Sequence, residues 1–111
     1  MSETCLFCKI AKGHTDTKFV HETDRLVVFD DIHPSAPLHQ LIVPKRHIRS
    51  VNDLTDDDRE IVAEMIMTGK AMAAKAKVNE AGYKLLFNVE YGGGQRIFHL
   101  HMHLLAGREW S

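Results

Sequence analysis

Residues 98–105 read FHLHMHLL, and the reading of this stretch decides the fold. His99, His101 and His103 alternate with Leu100, Met102 and Leu104. On a strand, alternate side chains share a face. Residues 97–105 therefore predict a strand with three imidazoles on one side and apolar residues entering a core on the other. Three adjacent imidazoles are hard to rationalise as core filling. They suggest metal ligation or nucleophilic and acid–base catalysis, and the plain structural alternative is a solvated strand face that happens to be rich in histidine. Alternate side chains on one strand lie about 7 Å apart, so three in a line do not easily converge on one ion.

Working outward, Gly92, Gly93 and Gly94 form a glycine loop before the histidines. Such a loop lets backbone N–H groups approach an anion, or serves only as a flexible turn. Residues 84–89 read as a strand, as do 19–22, 26–30 and 39–44, the last closed by Pro44. Thr23, Asp24 and Arg25 make a hairpin turn, and residues 31–37, with Pro34 and Pro37, make a loop. One long helix is predicted over residues 55–82. Thr55 caps it with Asp58 in a capping-box arrangement, Ile61, Met65, Thr68, Met72 and Ala76 form its stripe, and Gly82 stops it. Residues 5–12 suit a short N-terminal helix or turn. Strands, one long helix and further strands define an α+β domain.

The chain has 111 residues, 44% hydrophobic and 26% charged, which fits one globular domain spanning 1–111. A formal net charge of -1 argues against long nucleic acid as a partner but leaves a single nucleotide open. No apolar run approaches the roughly 20 residues of a membrane span, and nothing reads as a signal peptide, so a cytoplasmic location is expected. There Cys5 and Cys8 stay reduced, and a Cys-x-x-Cys pair is more often a metal or redox feature than a disulfide. Eight histidines are the one unusual count.

FHLHMHLL resembles the signature of the histidine-triad (HIT) superfamily. The resemblance extends to CLFCKI at residues 5–10, FDDIHPSAPLHQLIVPKRHI at 29–48 and NVEYGGGQRIFHLHMHLLAGR at 88–108. It is strongest to the HINT-like purine nucleoside phosphoramidases. It implies a five-stranded antiparallel sheet with one long and one short helix, and a homodimer joined through the long helix and a strand. The apolar face of residues 61–76 suits that role or its own core equally.

The resemblance also implies a purine nucleotide such as AMP or GMP, or its phosphoramidate, as substrate, with His101 as the nucleophile that carries the nucleotidyl group. His103 would stabilise the phosphate, with His99 supporting the site from the other flank and His39 orienting the triad. Asn88, Gly94, Gln95 and Arg96 would lie at the phosphate. Asp31 would hold the ribose hydroxyls, or cap a turn before Pro34. Leu6, Phe7, Ile10, Phe29 and Ile32 would form the base pocket; the residues alone read as core.

Some relatives, like the related galactose-1-phosphate uridylyltransferases, bind structural zinc through such a cysteine pair and two histidines. The matching set here is Cys5, Cys8, His47 and His99, and no organic cofactor is expected. Arg96 departs from relatives that carry a small hydroxyl residue near the leaving group. It either favours an anionic leaving group or points to solvent. Trp110 shapes specificity or packs at a dimer surface. His103 argues against the uridylyltransferases, which carry glutamine there. The alternatives are a dinucleoside polyphosphate hydrolase or nucleotidyltransferase of the same superfamily, a nucleotide-binding scaffold and a zinc-binding interaction module.

Overall fold

The computed structural model describes residues 5–107, so the expectations for Arg108 and Trp110 lie outside the described residues. Five strands form one antiparallel sheet: β1 (His21–Glu22), β2 (Leu26–Asp30), β3 (Leu38–Pro44), β4 (Lys84–Leu86) and β5 (Met102–Ala106). Their order across the sheet is β1-β2-β3-β5-β4. Two α-helices, α1 (Leu6–Ala11) and α2 (Arg59–Lys75), complete the expected α+β architecture.

Period-two alternation sorts the residues of β2 and β3 between two apolar layers, and β5 adds to the α2 side. Leu26, Val28, Ile42, Met102 and Leu104 face α2, where Ile61, Met65 and Met72 bury against them. On the other face Val27, Phe29, Leu41 and Val43 meet Phe7 and Ile10 of α1. Ile61, Met65 and Met72 of the predicted stripe are thus used by the chain's own core and Thr68 is buried, whereas Ala76 lies past the end of α2 and is exposed. Gly69 allows the close approach: a Cβ there would stand 2.9 Å from both Leu85 and Met102.

The long helix departs from expectation at both ends. Thr55 and Asp58 do form a capping box, but it opens a 3₁₀ turn (Asp56–Asp58) before α2 begins at Arg59. At the other end α2 stops at Lys75 rather than running to Gly82. Lys77 takes the left-handed conformation, φ 64°. The N–H groups of Lys77 and Val78 close on the carbonyls of Ala74 and Ala73, a Schellman arrangement. Lysine occupies the position that glycine usually marks, so the stop carried no sequence signal.

Among the strands, β2 has its predicted bounds and β3 gains Leu38, whereas β1, β4 and β5 are shorter than predicted. β1 covers only His21–Glu22 and β4 only Lys84–Leu86. The histidine strand begins at Met102 rather than at residue 97, and proline explains why. Continuing the Ile42↔Met102 register by two residues brings Pro44 opposite Leu100. Proline has no N–H to give the ladder, and the Pro44 carbonyl accepts instead from the His99 ring at 2.7 Å. The Leu100 N–H turns to the Ile48 carbonyl at 2.6 Å. His99 and His101 therefore precede the strand, although Leu100 still enters the α2-side core.

Candidate active site

The sheet face covered by α1 opens into a cavity of about 560 Å³. Its apolar wall comes from Leu6, Phe7 and Ile10 of α1, with Phe29 and Leu41 of the sheet and Ile97. Its polar end holds His101, His103, Asn88, Gly94 and Arg96. Asp31 and Ile32 stand at the mouth with Asp30, His33, Thr15 and Thr17. The structure thus gathers most of the expected nucleotide contacts around one space. Leu41 and Ile97 were not anticipated. Leu41 could have been found from its register, since it pairs with both Phe29 and His103.

The three histidines divide. The buried ring of His99 turns away from the cavity toward Cys5 and Cys8, and its carbonyl serves the neighbouring imidazole. His101 Nδ1 lies 2.7 Å from the His99 carbonyl oxygen. A carbonyl only accepts, so Nδ1 carries the proton and Nε2 keeps its lone pair. The His103 ring stands 5.0 Å from that of His101, and Phe7 meets His101 edge-on at 5.0 Å.

A second chain of contacts sets His103. The Ser35 N–H donates to His39 Nδ1 at 3.0 Å. His39 must therefore carry its proton on Nε2, which lies 2.9 Å from His103 Nδ1. His103 Nδ1 accepts that proton's hydrogen bond, leaving Nε2–H as a donor. Asp31 lies behind this relay, its Oδ2 3.4 Å from His39 Nε2, while its Oδ1 accepts from the His33 N–H at 2.8 Å. It is both a turn cap and a cavity residue. His39 does not line the cavity itself and touches it through His103.

Burial disfavours the charged form of the two cavity-lining rings, His101 and His103. It pushes His103 down to about 4, with the neighbouring His101 and His39 adding to the effect. Burial likewise lowers His101, against the hydrogen bond to the His99 carbonyl. A neutral imidazole with one fixed tautomer is the state a nucleophile requires.

The glycine loop is organised differently from a phosphate cradle of backbone donors. The N–H groups of Gly93 and Gln95 bond to the Glu90 carbonyl, and that of Gly94 to the Tyr91 carbonyl. Glu90 takes a backbone conformation that side chains rarely adopt, φ 61° and ψ 174°. It is tied down by Arg49 and Ser50. Gln95 stands apart from the cavity as a buried brace: its amide donates to the carbonyls of Arg49 and Ile97 and accepts from the Glu90 N–H. Gly94 is left-handed, and a Cβ on it would lie 3.1 Å from Asn88 Nδ2. The loop contributes a close-packed floor, with Asn88 held by the Gly93 carbonyl at 2.8 Å.

Beyond His101, on the side to which the His99 ring turns, Cys5, Cys8, His47 and His99 converge, their ligand atoms all within 4.8 Å of one another. His99 Nε2–H is committed to the Pro44 carbonyl, so Nδ1 presents its lone pair to the thiols, 3.2 Å from Cys5 and 3.4 Å from Cys8. Burial lowers His99 to about 4, so this lone pair stays free of a proton at neutral pH. Burial also raises the Cys8 thiol to about 11, with Cys5 adding to it. A bound cation would reverse that preference. The donor set suits a four-coordinate metal.

An α1-covered cavity holding two tautomer-fixed histidines at the start of an inner strand of one antiparallel sheet defines a class of small α+β, histidine-centred proteins. Residues 4–109 match the family described as "Scavenger mRNA decapping enzyme C-term binding". The chain is 37% identical to the purine nucleoside phosphoramidase of Escherichia coli K12 over 108 residues, 97% of this chain and 91% of that protein. The crystal structure of a HIT family hydrolase from Legionella pneumophila superposes with a TM-score of 0.95 at 46% identity, covering 97% and 96% of the two chains. A Zn-bound histidine triad protein from Mycobacterium smegmatis superposes at 0.84 with 27% identity, covering 97% and 78%. The chain belongs to the histidine-triad superfamily, in its HINT-like branch.

Proposed function

We propose that this chain is a purine nucleotide hydrolase of the phosphoramidase type, acting through a nucleotidyl group carried on His101. The observation that carries the reading is the 2.7 Å contact of His101 Nδ1 with the His99 carbonyl, which leaves the Nε2 lone pair for attack. The base and ribose occupy the space between the α1 wall and Asp31. Attack of His101 Nε2 on the α-phosphorus forms an N–P bond and breaks the bond to the leaving nitrogen. That nitrogen keeps the electron pair and takes up a proton from solvent. Water then attacks phosphorus, gives up a proton and releases the nucleoside monophosphate with His101 restored. His103 Nε2–H stabilises the charge that builds on the phosphoryl oxygens.

Cys5, Cys8, His47 and His99 are proposed to hold a structural zinc. With bonds of about 2.3 Å to sulfur and 2.0 Å to nitrogen, tetrahedral zinc needs nitrogen–nitrogen and nitrogen–sulfur edges of roughly 3.3–3.6 Å. The corresponding separations here are 3.2–3.4 Å. Such an ion staples α1 to the sheet and leaves His101 free. No helix among the described residues is long and apolar enough to cross a membrane, and we place the chain in the cytoplasm. We also propose a homodimer. Ile66 and Met67 of α2 are 44% and 58% exposed, and Gly69, close by on the helix, meets Leu85 of the edge strand β4.

The deciding experiment is steady-state hydrolysis of an adenosine 5′-phosphoramidate by the intact protein and by His101→Ala. Turnover lost in the variant, with an AMP-sized mass increase on the quenched intact protein, is the expected result. Absence of turnover by the intact protein, with AMP still bound, would overturn the assignment in favour of a nucleotide-binding role.

A further inference from the structure

Arg96 is the one guanidinium in the described residues without a carboxylate partner. Arg25 pairs with Glu64, Arg46 with Asp58, Arg49 with Glu90 and Arg59 with Asp56. Arg96 instead lines the cavity with His101 and His103. Its Nη1 donates to the carbonyls of Gln95 at 3.2 Å and Tyr91 at 3.4 Å. Its guanidinium lies 4.7 Å from the centroid of the Tyr91 ring. Carbonyls and a ring face orient a cation but do not neutralise it. The cavity's own acids, Asp30 at the end of β2 and Asp31 just after it, form no ion pair with Arg96.

The placement of this charge matters. α1 and β2 supply the apolar wall for a base, whereas Arg96 is anchored on the glycine loop, beside Asn88 and Gly94. A nucleotide seated with its base on that wall and its phosphorus at His101 would direct the group beyond phosphorus toward Arg96.

We propose that Arg96 is a specificity-determining residue that selects leaving groups bearing their own negative charge. This rests on the hydrolase reading above and narrows its substrate class. The shared chemistry is an oxyanion within reach of a guanidinium. It is either a carboxylate on an amine joined to phosphorus through nitrogen, or a second phosphate joined through oxygen. In both cases His101 Nε2 forms the bond to phosphorus and the leaving atom keeps the electron pair. Nitrogen takes up a solvent proton, whereas a leaving phosphate departs as the anion. Arg96 offsets the leaving group's charge without donating its proton. The exposed Tyr91 ring offers a flat apolar surface next to it.

The test compares kcat/KM for three adenosine substrates: a phosphoramidate of a neutral amine, the phosphoramidate of alanine through its nitrogen, and ADP. Each is measured with the intact protein, Arg96→Gln and Arg96→Lys. The expected result is that the ratio of an anionic substrate to the neutral one falls at least about tenfold in Arg96→Gln and is largely kept in Arg96→Lys. A fall confined to the alanine ratio assigns the carboxylate, and one confined to the ADP ratio assigns the phosphate. Ratios unchanged by Arg96→Gln, with the neutral phosphoramidate still hydrolysed, overturn this proposal and leave the hydrolase reading standing. If the intact protein turns over none of the three, both fall together.

Discussion

The His39 Nε2 lies 2.9 Å from His103 Nδ1, and this contact decides which nitrogen His103 turns outward. The decision begins at a backbone amide: the Ser35 N–H fixes His39, His39 fixes His103, and His103 is left with its Nε2–H as a donor. His39→Ala breaks the relay without removing a cavity-lining side chain. By analogy with groups that orient functional histidines, kcat is expected to fall roughly ten- to hundredfold, with a smaller change in KM. Nitrogen NMR of the His103 ring should show its tautomer mixed in the variant. An unchanged tautomer and kcat would sink the relay.

The Cys5–Cys8–His47–His99 cluster is joined to the proposed nucleotide site through α1 and the His99 carbonyl. Phe7, between the two cysteines, stands edge-on to His101 at 5.0 Å. Metal and nucleotide are therefore expected to assist one another. Cys8→Ser should reduce bound zinc well below about one ion per chain and weaken AMP binding by about fivefold or more. Linkage requires AMP to tighten zinc by the same factor in the intact protein. Calorimetry with and without chelator reads both, and identical AMP affinity in the two states would refute the coupling.

Acid should destabilise the folded chain through its buried imidazoles. His103 is lowered by burial to about 4 from its ordinary 6.5. Between these values the unfolded chain binds the proton and the folded chain does not. Stability is thus present above about pH 7 and declines as pH falls toward 4. Urea unfolding across this range should show the decline, and His103→Gln should flatten it. A variant with the same slope as the intact protein would assign the acid sensitivity elsewhere.

Lys77 holds a left-handed conformation, φ 64°, immediately after α2. Glycine adopts it without Cβ strain, so Lys77→Gly should stabilise the fold by about 0.5–1 kcal/mol, read as a higher denaturation midpoint. A lower midpoint would mean that the lysine stem contributes packing that outweighs the strain.

Ile66 and Met67 put apolar surface on the outside of α2. Met67→Glu is expected to shift the protein from dimer to monomer in analytical ultracentrifugation. An intact protein that sediments as a monomer at micromolar concentration would remove the dimer from the account.

Local regularities were legible from the chain alone. Period two placed Leu100, Met102 and Leu104 in the core and left His101 and His103 to the other face, because strand alternation needs no tertiary information. Thr55 and Asp58 announced their capping box because its partners lie three residues apart. The resemblance carried by CLFCKI, PKRHI and the histidine run pointed to the Cys5, Cys8, His47 and His99 set that the fold brings together. Tertiary structure decided the rest. Only the opposition of Pro44 to Leu100 shows why the histidine strand starts late and why the His99 ring leaves the cavity. Only folding reveals Gln95 as a brace and the glycine amides as turned inward. The proton positions on His39 and His103 depend on partners 64 residues apart and on one amide at Ser35. A tautomer is set by whichever donor or acceptor the fold places against the ring, and residue type and spacing do not encode that neighbour.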